Sequence, residues 1–197
     1  MDASLSLQDE ALYLADERAT EALGQLLGRL LPVPSYVAVS GPLGAGKTSL
    51  ARALAVGLEV TRPEEVRSPT FAILQLHDGP RPFAHVDLYR LAEAGELDYL
   101  GLEELIEARV SYVEWPERAP SLAPSSHLSL ELAYAAPDPE AGRLLRLSAR
   151  GEPSKLALVV DQFYREALQL GISARQWAPS PFDFADASGG GVDPIDF

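Results

Sequence analysis

The sequence predicts an α/β fold: a single domain with one mixed, mostly parallel sheet and helices packed on it. Three observations predict it. Short apolar segments alternate with segments of helical period along most of the 197 residues. One of the apolar segments runs through a glycine-rich connection directly into a helix. Two others end in a single acid, Asp87 and Glu114. A chain of this length suits one domain with a sizeable core.

The elements follow in order. Leu12-Tyr13-Leu14 reads as an edge strand. Ala19, Leu23, Leu26, Leu27 and Leu30 then recur at helical spacing, with Asp16 as N-cap and Pro32 and Pro34 closing the helix. Tyr36-Val37-Ala38-Val39 is an apolar strand, and residues 48–56 form the helix after the glycine-rich loop. Residues 71–76 and 83–87 read as strands around the turn Asp78-Gly79-Pro80. A short helical patch at 100–108 leads into the strand 110–114. The alternating segments 127–134 and 144–149 predict a hairpin. Residues 154–170 form an amphipathic helix with Leu156, Val159, Val160, Phe163, Ala167 and Leu170 on one face, closed by Gly171. From about Ser173 Pro, Gly, Ser and Asp dominate, and after Arg175 there are four Asp and no Lys or Arg. This composition predicts a disordered acidic tail. Its pairs Phe182-Asp183-Phe184 and Ile195-Asp196-Phe197 read either as a docking peptide or as an inert solubilising end.

Composition excludes several functions. A net charge of −13 argues against this chain alone gripping a nucleic-acid backbone. No apolar run is long enough to span a membrane and no basic-then-apolar leader is visible, so a cytoplasmic location is expected. Without cysteine there are no disulfides, iron–sulfur clusters or thiolate zinc sites. Of the 16 basic residues only two are lysines, one of them Lys47, and asparagine is absent.

The glycine-rich connection is Gly41-Pro42-Leu43-Gly44-Ala45-Gly46-Lys47-Thr48, which fits G-x-x-x-x-G-K-[ST] at every fixed position. The small residues Gly41, Gly44, Ala45 and Gly46 let backbone N–H groups curl round an anion. Lys47 would reach the β- and γ-phosphates and the Thr48 hydroxyl would ligate Mg²⁺. The dipole of the following helix favours a phosphate at this point. A plain turn before an ordinary helix would leave Lys47 at the helix start unexplained, where a cation is disfavoured.

Such a loop binds phosphate; the reaction depends on what else reaches it. Asp87 ends an apolar strand, as an acid that holds Mg²⁺ does. Glu114 ends another, and both would lie at the carboxyl edge of the sheet beside the loop. Two acids there divide the work between metal and attacking water. Taken singly, each also reads as a solvated strand end. Arg67-Ser68-Pro69-Thr70-Phe71 places hydroxyls before a strand, where a switch segment would sense the γ-phosphate.

The loop, Ser68-Pro69-Thr70-Phe71, His85-Val86-Asp87-Leu88-Tyr89-Arg90 and Val113-Glu114-Trp115-Pro116-Glu117, in this order and spacing, resemble the TsaE (YjeE) family over roughly residues 12–150. The resemblance implies a P-loop ATPase domain over 1–152, leaving a C-terminal amphipathic helix at 153–171 and a tail at 172–197. It implies an ATPase required for threonylcarbamoyladenosine modification of adenosine 37 in tRNAs that read codons beginning with A. The implied partners are TsaB and TsaD, with tRNA met only through the complex and no membrane involved. ATP and Mg²⁺ are the implied cofactors. Gly41, Leu43, Gly44, Ala45, Gly46, Lys47, Thr48 and Ser49 would wrap the phosphates, with Thr70 in the switch segment. Thr48 and Glu114 would be metal ligands, and Asp87 would position water or metal, with Lys47 as catalytic cation. Arg143 would lie near the nucleotide and Glu17 on its adenine side. Trp115 reads as packing and as a fluorescence reporter, and His85 and Tyr89 as local packing or hydrogen-bonding groups.

Two other readings stay open at this level. A small-molecule or nucleotide kinase shares the loop, but would need an Arg-bearing lid; Arg81, Arg90 and Arg109 are scattered in sequence. A nucleotide-gated interaction module would bind ATP with hydrolysis incidental. The sequence argues against a GTPase, because guanine-reading Asn-Lys-x-Asp needs an asparagine; Asp98-Tyr99-Leu100-Gly101 only imitates its switch. No arginine finger is evident in cis, so turnover by the chain alone should be slow.

Overall fold

The computed structural model describes residues 10–68, 73–91, 102–136, 139–151 and 155–178. Its strands are β1 (Glu10–Leu14), β2 (Ser35–Ser40), β3 (Leu74–His77), β4 (Phe83–Asp87), β5 (Val110–Glu114), β6 (His127–Tyr134), β7 (Arg143–Arg150) and β8 (Ala174–Gln176). Its helices are α1 (Glu17–Leu30), α2 (Lys47–Gly57), α3 (Leu102–Glu107) and α4 (Lys155–Gln169). Thr70, the start of the predicted strand at 71–72, the Asp98–Gly101 imitation and the aromatic–acid pairs of the tail lie outside the described residues.

Among the described residues these eight strands form one mixed sheet in the order β3-β4-β5-β2-β6-β7-β1-β8. The centre is parallel: β4 pairs with β5, β5 with β2, and β2 with β6. Antiparallel pairs flank it, β3 on β4 at one side and β6–β7–β1–β8 at the other. The central β2, covered on both faces, is almost wholly buried, which is why Tyr36-Val37-Ala38-Val39 reads as an unbroken apolar run.

Strand alternation divides the core. Val37, Val39, Phe83, Tyr112, Leu128 and Leu130 face one side, where α1, α2 and α4 cover them. Tyr36, Ala38, Val86 and Val113 face the other, against Ile106 of α3 and the short turns at 116–122. Asp16 caps α1 as expected, its carboxylate accepting from the Ala19 N–H at 2.9 Å, a contact worth about 1 kcal/mol. Helix α1 lies directly on α2: a Cβ at Gly28 would sit 2.3 Å from the Leu54 carbonyl oxygen and one at Gly57 2.2 Å from that of Gln25. Only glycine permits that approach.

Two expectations need correction. Leu12-Tyr13-Leu14 is not at the edge, because β1 pairs with β7 on one side and β8 on the other. Strand β8 falls inside the stretch whose composition reads as tail. Its three residues are all exposed, so no apolar alternation betrays it; backbone pairing and rings hold it instead. Tyr13 N–H donates to the Ser173 carbonyl at 2.8 Å, Arg175 lies 3.2 Å above the Tyr13 ring and Arg146 4.5 Å above Trp177.

Helix α4 packs into the core through Val160, Phe163, Tyr164 and Ala167. Phe163 is fully buried, which contributes about 2–3 kcal/mol. The Tyr164 phenol oxygen accepts from the Leu147 N–H at 3.0 Å, tying α4 to β7. Leu170, placed on the apolar face by its spacing, is exposed, one turn beyond the packed part of the helix.

Candidate nucleotide site

The carboxyl ends of β2, β4 and β5 meet at one edge of the sheet, and a cleft of about 830 Å³ opens there. The register places Glu114 beside Val39 on one side and Asp87 on the other. The two acids are thus adjacent across the sheet, in front of the loop that leaves β2.

The loop has the form its sequence demands. Gly46 has φ +98° at the start of α2, a left-handed conformation that glycine alone adopts readily. Gly41, at φ +144°, passes so close to β6 that a Cβ would lie 2.4 Å from the Leu132 carbonyl. Four successive loop carbonyls are engaged by side chains. Lys47 Nζ donates to Gly41 O at 2.7 Å and Pro42 O at 2.9 Å. The Tyr134 hydroxyl donates to Leu43 O at 2.9 Å, and Arg143 to Gly44 O at 3.4 Å while lying 4.3 Å above the Tyr134 ring. With its carbonyls held this way, the loop leaves amide hydrogens for an anion, except that of Ala45, which donates to Pro42 O at 3.2 Å.

Lys47 is 5% exposed and stands 4.0 Å over the Trp115 ring. Burial lowers its pKa, and the carboxylates of Glu114, Asp87 and Glu117 oppose that shift without overcoming it. Trp115 follows Glu114 with φ +59°, a costly conformation for a bulky residue. The turn brings its ring between Lys47 and Tyr89, whose ring centroid is 4.9 Å away.

The acids are held differently. Glu114 is 3% exposed; its Oε1 accepts from the Thr48 hydroxyl at 3.0 Å and meets His85 Nε2 at 2.9 Å. Asp87 is half-buried, accepting from the Ser68 hydroxyl at 2.8 Å on Oδ2 and from the Tyr89 N–H at 3.1 Å on Oδ1. The donor set suits Mg²⁺, which takes one or two protein oxygens, phosphate oxygens and water. Thr48 and Glu114 are in contact to supply those oxygens. Among the described residues no three His, Asp or Glu gather as an all-protein metal cage, and none is required for such an ion.

The cleft brings together Leu43, Gly44, Ala45, Gly46, Lys47, Thr48, Ser49, Asp87 and Glu114. Arg143 contacts the outer side of the loop, and Glu17 stands exposed in the first turn of α1. The sequence alone understates His85 and Tyr134 and shows Arg90 only as one of several scattered arginines. Arg90 in fact lines the cleft. Arg81 instead donates to the carbonyls of Gly57, Arg29 and Leu31, and Arg109 to Leu105. Alternation held the missing signal. Phe83, His85 and Asp87 share one face of β4, and Tyr112 and Glu114 the same face of β5, both turned to α2.

Residues 14–142 match the family described as "Threonylcarbamoyl adenosine biosynthesis protein TsaE". A Nostoc sp. protein named tRNA threonylcarbamoyladenosine biosynthesis protein TsaE is 41% identical over 130 residues, 62% of this chain and 77% of its own length. A Mycobacterium tuberculosis H37Rv protein of the same name is 39% identical over 123 residues, 57% of this chain and 72% of its own. The crystal structure of Bacillus subtilus YdiB superposes with a TM-score of 0.58 at 24% identity, covering 77% of this chain and 90% of that one, a likeness of fold. With more than half of its length matched and its phosphate loop and two acids at one sheet edge, the chain belongs to the TsaE family.

Proposed function

We propose that the chain binds and hydrolyses ATP with Mg²⁺ as a component of threonylcarbamoyladenosine formation on adenosine 37 of tRNA, in the cytoplasm, acting with TsaB and TsaD. One observation carries this reading: Lys47, Thr48, Asp87 and Glu114 converge on a single cleft at the sheet edge. The names of the relatives support the pathway.

In this reading the loop amides and Lys47 hold the phosphates, with Ser49 and Thr70 adding hydroxyls. Arg143 steadies the loop from outside, and Glu17 is assigned to the adenine side on resemblance alone. Thr48 and Glu114 hold Mg²⁺, which when bound draws charge from the phosphate oxygens. Asp87 orients a water for attack on the γ-phosphorus and accepts its proton. The new O–P bond forms as the bond from the γ-phosphorus to the β–γ bridging oxygen breaks, leaving ADP and phosphate. Ser68 and Tyr89, which now occupy both Asp87 oxygens, must yield at least one of them for this role. The chain's charge of −13 supports a route to tRNA through partners.

The test is reconstitution of the modification on tRNA with TsaB and TsaD, with and without this chain. Sustained product formation that needs the chain and is lost with Asp87→Ala is the expected result. Equal yield with the Asp87→Ala protein would contradict a hydrolytic role.

A further inference from the structure

We propose that His85 is a positioning residue for the Glu114 carboxylate, holding it in the orientation in which it and Thr48 take the divalent cation. The inference rests on the reading of Thr48 and Glu114 as ligands of that cation.

His85 is fully buried, a place where imidazole is costly unless its polar atoms are used. Its ring lies nearly parallel to Phe83, with centroids 6.3 Å apart at 9°, and meets Tyr112 edge-on at 5.9 Å. An apolar ring would fill that slot as well. What an apolar ring cannot supply is Nε2, which sits 2.9 Å from Glu114 Oε1. Nδ1 has no hydrogen-bond partner among the described residues. A carboxylate oxygen only accepts, so the proton belongs on Nε2; placed on Nδ1 it would strand a buried N–H.

Glu114 Oε1 therefore receives two donors, the His85 N–H and the Thr48 O–H at 3.0 Å. They fix the carboxylate from opposite parts of the fold, β4 and the first turn of α2. Two consequences follow for a cation. With its proton directed at Glu114, Thr48 keeps its lone pairs for a metal. Glu114 Oε2 is left without a hydrogen-bond donor among the described residues, on a side chain that lines the cleft. His85 thus acts through Glu114, and its contribution should appear in cation-dependent binding and not in binding of the nucleotide alone.

The experiment measures affinity for a fluorescent non-hydrolysable ATP analogue, in EDTA and in Mg²⁺, for the full chain and two variants. His85→Phe keeps the ring contacts and removes the donor; His85→Gln places an amide N–H near the Nε2 position. The expected result is tighter binding in Mg²⁺ for the wild type and a loss of that tightening by about tenfold in His85→Phe. Affinity in EDTA stays unchanged, and His85→Gln recovers most of the effect. Full Mg²⁺ tightening in His85→Phe, or a loss in His85→Gln equal to that in His85→Phe, overturns the proposal. Absence of tightening in the wild type instead overturns the metal assignment of Thr48 and Glu114 beneath it. Should His85→Phe not fold, ¹⁵N NMR of the wild-type imidazole decides. A proton on Nε2 whose resonance shifts with Mg²⁺ and the analogue, but not with the analogue in EDTA, supports the proposal. A proton on Nδ1, or no such shift, overturns it.

Discussion

The Thr48 hydroxyl donates to the Glu114 carboxylate across 3.0 Å, joining the start of α2 to the end of β5 and closing one wall of the cleft. Glu114→Ala removes the acceptor of both Thr48 and the buried His85. An unpaired buried donor costs about 1–3 kcal/mol, so the melting temperature should fall by about 2–12 °C. Nucleotide affinity in EDTA should hold within about threefold while hydrolysis is lost. Calorimetry and a binding titration check both. Unchanged stability with unchanged hydrolysis would mean that the acid has neither role.

Lys47 and Trp115 are the second pair that reports on the site. The ammonium now sits 4.0 Å above the indole ring and on two loop carbonyls. Phosphates that draw it away should change Trp115 emission, over the background of Trp177, which lies under Arg146 and not under Lys47. Lys47→Ala should alter the emission of the free protein and abolish the nucleotide response, with affinity weakened about 100-fold or more, an effect of about 3 kcal/mol. Its melting temperature should change little, because burial already penalises the charged amine. Parallel losses of stability and binding would make Lys47 a structural residue.

Tyr134→Phe tests the clamp on the loop. The ring stays for Arg143 to lie on, and only the hydrogen bond to the Leu43 carbonyl goes. Nucleotide affinity should weaken about three- to tenfold, the effect of one ordinary hydrogen bond, with stability unchanged. Isothermal titration gives the answer, and undiminished affinity would show that the hydroxyl does not shape the loop.

Tyr36 provides a pH signature far from the cleft. Its buried hydroxyl has no partner among the described residues, and burial raises its pKa. The folded chain therefore holds this proton more tightly than the unfolded chain. That contribution is complete below the ordinary tyrosine value near 10 and is lost as pH rises towards the raised folded value. Tyr164 and Tyr112, both shifted upward by burial, act in the same direction. Stability should fall steeply above about pH 10, by up to about 1.4 kcal/mol per pH unit for each such tyrosine. Tyr36→Phe should be as stable as the parent or more so at neutral pH and should lose stability less steeply in alkali. An identical alkaline slope would contradict this account.

Much of this architecture was legible because it depends on short-range chemistry. The phosphate loop is written in Gly41, Gly46, Lys47 and Thr48, and α1 in the Asp16 cap and the leucine spacing. The hairpin of β6 and β7 is written in alternation. What stayed hidden was pairing between distant segments. Strand β8 has no apolar face to announce it, and β1 looked like an edge because its second neighbour lies some 160 residues away. At the site, the acids could be read from strand ends, whereas His85 and Tyr134 act only through partners supplied by the sheet register and the loop crossing. Arg90 looked scattered in sequence because only the fold turns the segment after β4 towards the loop.

The most direct measurement is the steady-state ATPase rate of the full chain, alone and with TsaB and TsaD. Turnover alone should be slow, below about 1 s⁻¹, the two partners should stimulate it strongly, and Asp87→Ala and Glu114→Ala should each lose the stimulated rate. An unstimulated rate in a complex shown to have formed would contradict this, as would stoichiometric phosphate transfer to a small-molecule acceptor.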